Sequence, residues 1–294
     1  MNTIEALIVL IVVTTFVLTW YCGPDETYQN VKYETVNGFE GRVLDDARFT
    51  FKMPYRLYIP DEVHPDKSYP LVLSLHGMGR RGNDNVRQIT NNAEWATAYA
   101  EPAVQKEYPS FILAPQTPTG TTFSPQWPRR ADDEDTIKSF NYDEIPQPES
   151  YQMVMKILYS ILDEFNIDYN RIYVTGNSMG GFSTWYFAIS NPDLFAAAMP
   201  FAGGGDSSKA HKIAHMPIWN HHGDADHVVS VKFSRIMMEA LESAGGDGVH
   251  KYSEYKDVEH NVRGPAFSID ENNSGIPDIV EWLLKQRKRW HNFS

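Results

Sequence analysis

The segment Gly176-Asn177-Ser178-Met179-Gly180-Gly181 constrains this chain most, because it directly follows the apolar run Arg171-Ile172-Tyr173-Val174-Thr175. A strand-like run entering glycines on both sides of a serine, with the apolar stretch Phe182 to Ile189 behind it, predicts strand, sharp turn and amphipathic helix. Glycines two before and two after Ser178 remove side chains where the turn forces strand and helix together. Such a turn lifts the serine hydroxyl clear of a sheet and leaves the Met179 backbone N–H facing the same space. The pattern is loosely specified, so its surroundings decide its meaning.

Those surroundings are strands alternating with helices. Phe49 to Ile59 reads as an early strand, Tyr69 to Leu75 and Ser110 to Ala114 as buried strands, and Tyr151 to Phe165 as a helix with apolar residues at helical spacing. After the serine come strands at Phe195 to Phe201, Pro217 to His221 and His250 to Tyr255. They alternate with helices at Phe233 to Leu241 and Ile276 to Arg287. This rhythm predicts an α/β fold, with a mostly parallel central sheet and helices on both faces. Residues 23–48 read as a loose lead-in to a domain spanning 49–294. Residues 116–149 break the rhythm, and a connection this long is usually functional or disordered. With Phe123, Trp127, Phe140 and Tyr142 it is too aromatic for plain disorder. It reads as a flap over the site, with Trp127 against substrate; the alternative is a surface loop packed by its own aromatics.

Residues 1–22 form a separate segment. Ile4 to Tyr21 is apolar except for Glu5 and a few threonines, which fits a signal peptide or a short signal anchor. Eighteen residues at a helical rise span roughly 27 Å, barely one hydrocarbon core. Export is the expectation, either secreted or periplasmic, with membrane contact only through this segment. Cys22 is the single cysteine, so no intrachain disulfide is expected. The net charge of −12, without a basic stripe, argues against a nucleic-acid partner.

A serine hydroxyl becomes a nucleophile when a histidine takes its proton and an acid orients that histidine. The acid candidates lie in His221-His222-Gly223-Asp224-Ala225-Asp226, just past a strand. Asp226 is favoured because it begins the turn into the next helix, while Asp224 fixes the loop. His221 and His222 read as strand-end residues hydrogen-bonded in place. The base candidate is His260, after the last strand and before the last helix. The oxyanion donors expected are the N–H groups of Met179 and of Met78, the latter in His76-Gly77-Met78-Gly79 after the Tyr69–Leu75 strand. No histidine pair has metal-ligand spacing with a supporting carboxylate, so no catalytic metal is expected.

Tyr55 to Pro60 (Tyr-Arg-Leu-Tyr-Ile-Pro), Tyr69 to Asn85 and Gly176 to Gly181 together resemble secreted carboxylesterases of the α/β-hydrolase superfamily. This is the compact esterase or "predicted peptidase" group, near dienelactone hydrolase, polyhydroxybutyrate-depolymerase-like and feruloyl esterases and the prolyl-oligopeptidase catalytic domain. In the resemblance, Asp226 falls on the group's acid motif and Tyr255 to His260 on its histidine motif. It covers roughly residues 50–288 and implies a single-domain hydrolase with no cofactor. It leaves the substrate open. The expectation is a serine esterase acting through an acyl-enzyme on a small-molecule or polysaccharide-linked ester, with acetyl or feruloyl as the acyl group. The alternatives are a prolyl-oligopeptidase-like peptidase and a non-catalytic binding module.

Overall fold

The structure, a computed structural model, describes residues 29–30, 33–90, 95–125, 131–246, 248–269 and 275–288. Within them ten strands form one sheet: β1 (Gln29–Asn30), β2 (Tyr33–Val36), β3 (Phe39–Asp45), β4 (Met53–Tyr58), β5 (Tyr69–Leu75), β6 (Phe111–Pro115), β7 (Ile167–Asn177), β8 (Ala197–Phe201), β9 (Ile218–Gly223) and β10 (His250–Tyr255). The order is β1-β3-β4-β6-β5-β7-β8-β9-β10, with β2 also on β3. From β6 to β10 all neighbours are parallel, while β1 to β4 pair antiparallel and extend one edge. The helices are α1 (Pro102–Glu107), α2 (Glu134–Lys138), α3 (Glu149–Glu164), α4 (Met179–Ser190), α5 (Lys232–Ser243), α6 (Arg263–Ala266) and α7 (Asp278–Lys285).

Every residue of β5, β6 and β8 is buried, as strands covered on both faces must be. Their alternate side chains divide between two cores. Leu71, Leu73 and Leu75 join α3 and α4 in one; Val72, Ile112, Ala197 and Met199 join α7 in the other. Helix α3 buries Met153, Val154, Ile157, Leu158, Ile161 and Leu162, the three- and four-residue spacing of one helical face. The helix after the serine differs from the expected amphipathic one. From Met179 to Ile189 every residue of α4 is buried, because the helix is enclosed by sheet and loops around its whole circumference.

Residues 23–48 are not a loose lead-in where they are described. Strand β3 pairs along β4 and buries Phe39, Val43 and Leu44. Two ion pairs clamp this region to α3: Arg42 to Glu164 at 2.6 Å and Asp46 to Lys156 at 2.6 Å. Arg42 and Asp46 are themselves buried, and such polar residues make a strand look like a loop in sequence. Residues 1–22, including Cys22, lie outside the described residues. Among the described residues no helix is long and apolar enough to cross a membrane.

His221, on β9, is buried in a stack with Phe201, Trp219 and Tyr255, and its Nδ1 lies 2.9 Å from the Tyr255 hydroxyl. Burial pushes its pKa from 6.5 down to about 3. Between those values the unfolded chain binds a proton that the folded chain refuses, so stability falls as pH drops from 6.5 towards 3 and the loss levels off below. Thermal melts across this window are expected to show a shallower acid-side slope for His221→Phe than for the native chain. Equal slopes would contradict the assignment.

Candidate active site

Strand β7 ends at Asn177, and Ser178 turns the chain into α4 with φ 58° and ψ −117°. A positive φ at a non-glycine residue costs of order 1–3 kcal/mol, and the surroundings must hold it. Here the Ser178 N–H donates to Phe201 O at 2.9 Å. The glycines are required by close approach. A Cβ at Gly180 would stand 1.9 Å from Leu75 O, and one at Gly176 2.4 Å from the same atom. The helix start is thus pressed onto the end of β5, which aims the serine off the carboxyl edge of the sheet.

His260 follows β10 and reaches Ser178: its Nε2 lies 2.9 Å from Ser178 Oγ. Its Nδ1 lies 2.6 Å from Asp226 Oδ2, in the loop after β9. The other Asp226 oxygen, Oδ1, accepts the N–H groups of Val228 at 2.8 Å and Val229 at 2.9 Å. Burial alone would raise the Asp226 pKa, but hydrogen bonds from His222, His260 and the Val229 N–H outweigh it. The carboxyl is held well below the usual range and is ionised at neutral pH. Asp224 does different work. Its Oδ1 accepts the Asp257 N–H at 2.6 Å, and its own N–H donates to Tyr255 O at 3.0 Å, so it ties the acid loop to the histidine loop.

The loop after β5 lies against the serine. A Cβ at Gly77 would stand 3.3 Å from Asn177 O and 3.7 Å from Ser178 Cβ. His76 is buried, with Nε2 accepting the Thr117 N–H at 3.1 Å and Nδ1 lying 2.8 Å from Gly77 O. One neutral tautomer, protonated at Nδ1, satisfies both contacts. Burial favours that neutral form, lowering the pKa to about 4. The Gly77 carbonyl also accepts the Arg80 N–H at 3.0 Å. In a trans peptide the following N–H points opposite to the carbonyl, so these bonds fix the direction of the Met78 N–H. Met179, the other expected donor, is the first residue of α4.

A cleft of about 680 Å³ opens over Ser178 and His260, lined also by Met78, Arg80, Gln88, Trp95, His227 and Val228. Gln88, Trp95 and His227 were not singled out in the sequence. His227 and Val228 could have been, since they directly follow Asp226. Trp95 carried no signal, because its place beside Phe201 and Phe267 depends on the tertiary fold. Trp127 lies outside the described residues. The described part of 116–149 does not line the cleft. Phe123 stands edge-on to His76 at 5.0 Å, Tyr142 packs on Tyr186 at 4.8 Å, and Asp132 meets Ser230 and Lys232. These contacts place the described part of the segment against α4 and the start of α5. Among the described residues no group of three or more His, Cys, Asp or Glu side chains is placed to hold a metal ion.

Known proteins resemble this chain in sequence and in fold. A bifunctional acetylxylan esterase/xylanase, XynS20E, of Neocallimastix patriciarum is 28% identical over 176 residues, 59% of this chain and 21% of that protein. Poly(3-hydroxyalkanoate) depolymerase C of Paucimonas lemoignei is 29% identical over 139 residues, 46% of this chain and 28% of that protein. The chain therefore spans only 21% and 28% of the length of these curated relatives. The crystal structure of a thermostable esterase is similar with a TM-score of 0.70 and 35% identity, covering 86% of this chain and 64% of that one. The family model described as Phospholipase/Carboxylesterase matches residues 62–269, which contain Ser178, Asp226 and His260. The chain belongs to this phospholipase/carboxylesterase family of α/β-hydrolases.

Proposed function

We propose that this chain hydrolyses carboxylic esters through an acyl-enzyme on Ser178. The observation that carries this reading is the hydrogen-bonded relay Ser178 Oγ–His260 Nε2 at 2.9 Å and His260 Nδ1–Asp226 Oδ2 at 2.6 Å. Ser178 Oγ attacks the ester carbonyl while His260 Nε2 takes its proton. His260 then returns that proton to the leaving alcohol, and a water molecule, deprotonated by the same nitrogen, releases the acid. Asp226 holds the imidazole in its Nδ1–H tautomer and stabilises the imidazolium formed in each step. The N–H groups of Met78 and Met179 receive the oxyanion, each worth about 3 kcal/mol of barrier.

For substrate, the similarity to an acetylxylan esterase favours acetyl groups on polysaccharide as the first choice, and feruloyl esters, which the sequence resemblance implies, are the second. The open cleft beside Trp95 and polar Gln88 suits such a substrate. The apolar residues 4–21 favour an exported protein. The catalytic domain begins by residue 29, since β1 to β4 belong to its sheet.

Turnover of p-nitrophenyl acetate, acetylated xylan and methyl ferulate should exceed that of Pro-p-nitroanilide peptides, and a fluorophosphonate should label the native chain but not Ser178→Ala. The Ser178→Ala change should lower kcat by about a thousandfold or more. Faster amide than ester turnover, or labelling that survives the substitution, would overturn the reading. Asp226→Asn should lower kcat by about ten-thousandfold, as expected when the acid orienting a catalytic histidine is neutralised. Asp224→Asn should cost about tenfold or less, because a neutral side chain there still accepts the Asp257 N–H. Steady-state kinetics of both variants check this, and the reverse order would move the acid to Asp224.

A further inference from the structure

Asp226 holds a second histidine. His222, on β9 and fully buried, places Nε2 3.3 Å from Asp226 Oδ2, the oxygen that faces His260, and 3.0 Å from Val229 O. Both neighbours of that nitrogen are pure acceptors, so Nε2 carries a proton. On the other side of the ring, Nδ1 lies 2.7 Å from Ser234 Oγ on α5. Ser234 Oγ is in turn within 3.1 Å of Gly203 O and 3.3 Å of Asn220 Oδ1, so the hydroxyl is enclosed by β9, α5 and the loop after β8.

We infer that His222 is a positioning residue for ester hydrolysis: it presents the Asp226 carboxylate to His260 and shares its charge. This rests on the acyl-enzyme reading above. The Val228 and Val229 N–H groups both bind Oδ1, so Oδ2 takes its donors from the two histidines. The His222 N–H supplies the contact that fixes Oδ2. It also makes His260 share that oxygen with a second donor, which limits the charge the imidazole feels. Ser234 holds the far edge of the His222 ring, as outer partners orient ligands around metal ions. In the sequence His222 is one residue of a strand-end His221-His222 pair, and the two have unlike roles. His221 pairs with Tyr255 within the aromatic stack, and His222 faces the carboxylate.

The test compares His222→Leu, which removes the donor, with His222→Gln, whose amide N–H2 can reach the place of Nε2. Esterase kinetics should show kcat lowered about tenfold or more in the leucine variant, with KM within about twofold of native, and most of kcat recovered in the glutamine variant. The low-field proton NMR signal of His260 Nδ1–H should move in the leucine variant and return in the glutamine one. Native kcat in a folded leucine variant, or equal losses in both variants, overturns the inference. If His222→Leu does not fold, Ser234→Ala decides: a several-fold loss in kcat with unchanged KM supports the role, and native kcat contradicts it. The parent reading fails separately. Native turnover in Ser178→Ala sinks the acyl-enzyme, whereas an inactive Ser178→Ala beside fully active His222 variants sinks this inference alone.

Discussion

The contact between the start of α4 and the end of β5 is the constraint on which the rest of the structure depends. Gly180 lies so close to Leu75 O that no side chain fits between them. That approach forces the turn at Ser178, and the turn forces the positive φ. The same end of β5 then continues into His76 and Gly77, which pass beside Asn177 and Ser178. The proposed nucleophile and the proposed oxyanion loop are therefore set by one packing contact, not by two independent loops. A methyl group at residue 180 would separate both at once, a cost in geometry as well as in stability.

The second organising element is charge. Asp226 is an ionised carboxylate in a buried place, and four donors around it make that tolerable: two backbone N–H groups on one oxygen and two histidines on the other. The loop bearing it is braced by the loop bearing His260. Gly223 passes so near Val258 O that a Cβ there would stand 2.1 Å away, and Ala225 N–H donates to Val258 O at 3.1 Å. The two loops are thus fixed against each other, which supports a 2.6 Å hydrogen bond between Asp226 and His260, 34 residues apart in sequence.

Much of this was legible in the sequence where a local rule and the tertiary structure agree. Strands β5 and β10 occupy the predicted Tyr69–Leu75 and His250–Tyr255, because an apolar or alternating run ends at a turn in both cases. The elbow was legible because its glycines answer a steric demand that only glycine meets. The segment before residue 49 was not, since it buries Arg42 on β3 and Asp46 just after it and satisfies them with α3 residues more than a hundred positions away. The role read for 116–149 followed from its length and its aromatic content. Aromatics at loop positions can face a cleft or a neighbouring helix, and Phe123 and Tyr142 face His76 and α4. His222 was illegible for a further reason: a buried histidine beside a carboxylate looks, in sequence, like any strand-end residue.

Acid-quenched peptide mass spectrometry during turnover of p-nitrophenyl acetate tests the central claim most directly. An acetyl group on the peptide carrying Ser178, present during turnover and gone once substrate is exhausted, is the predicted result. Acetyl on another side chain, or steady turnover with Ser178 unmodified at every quench time, would contradict it.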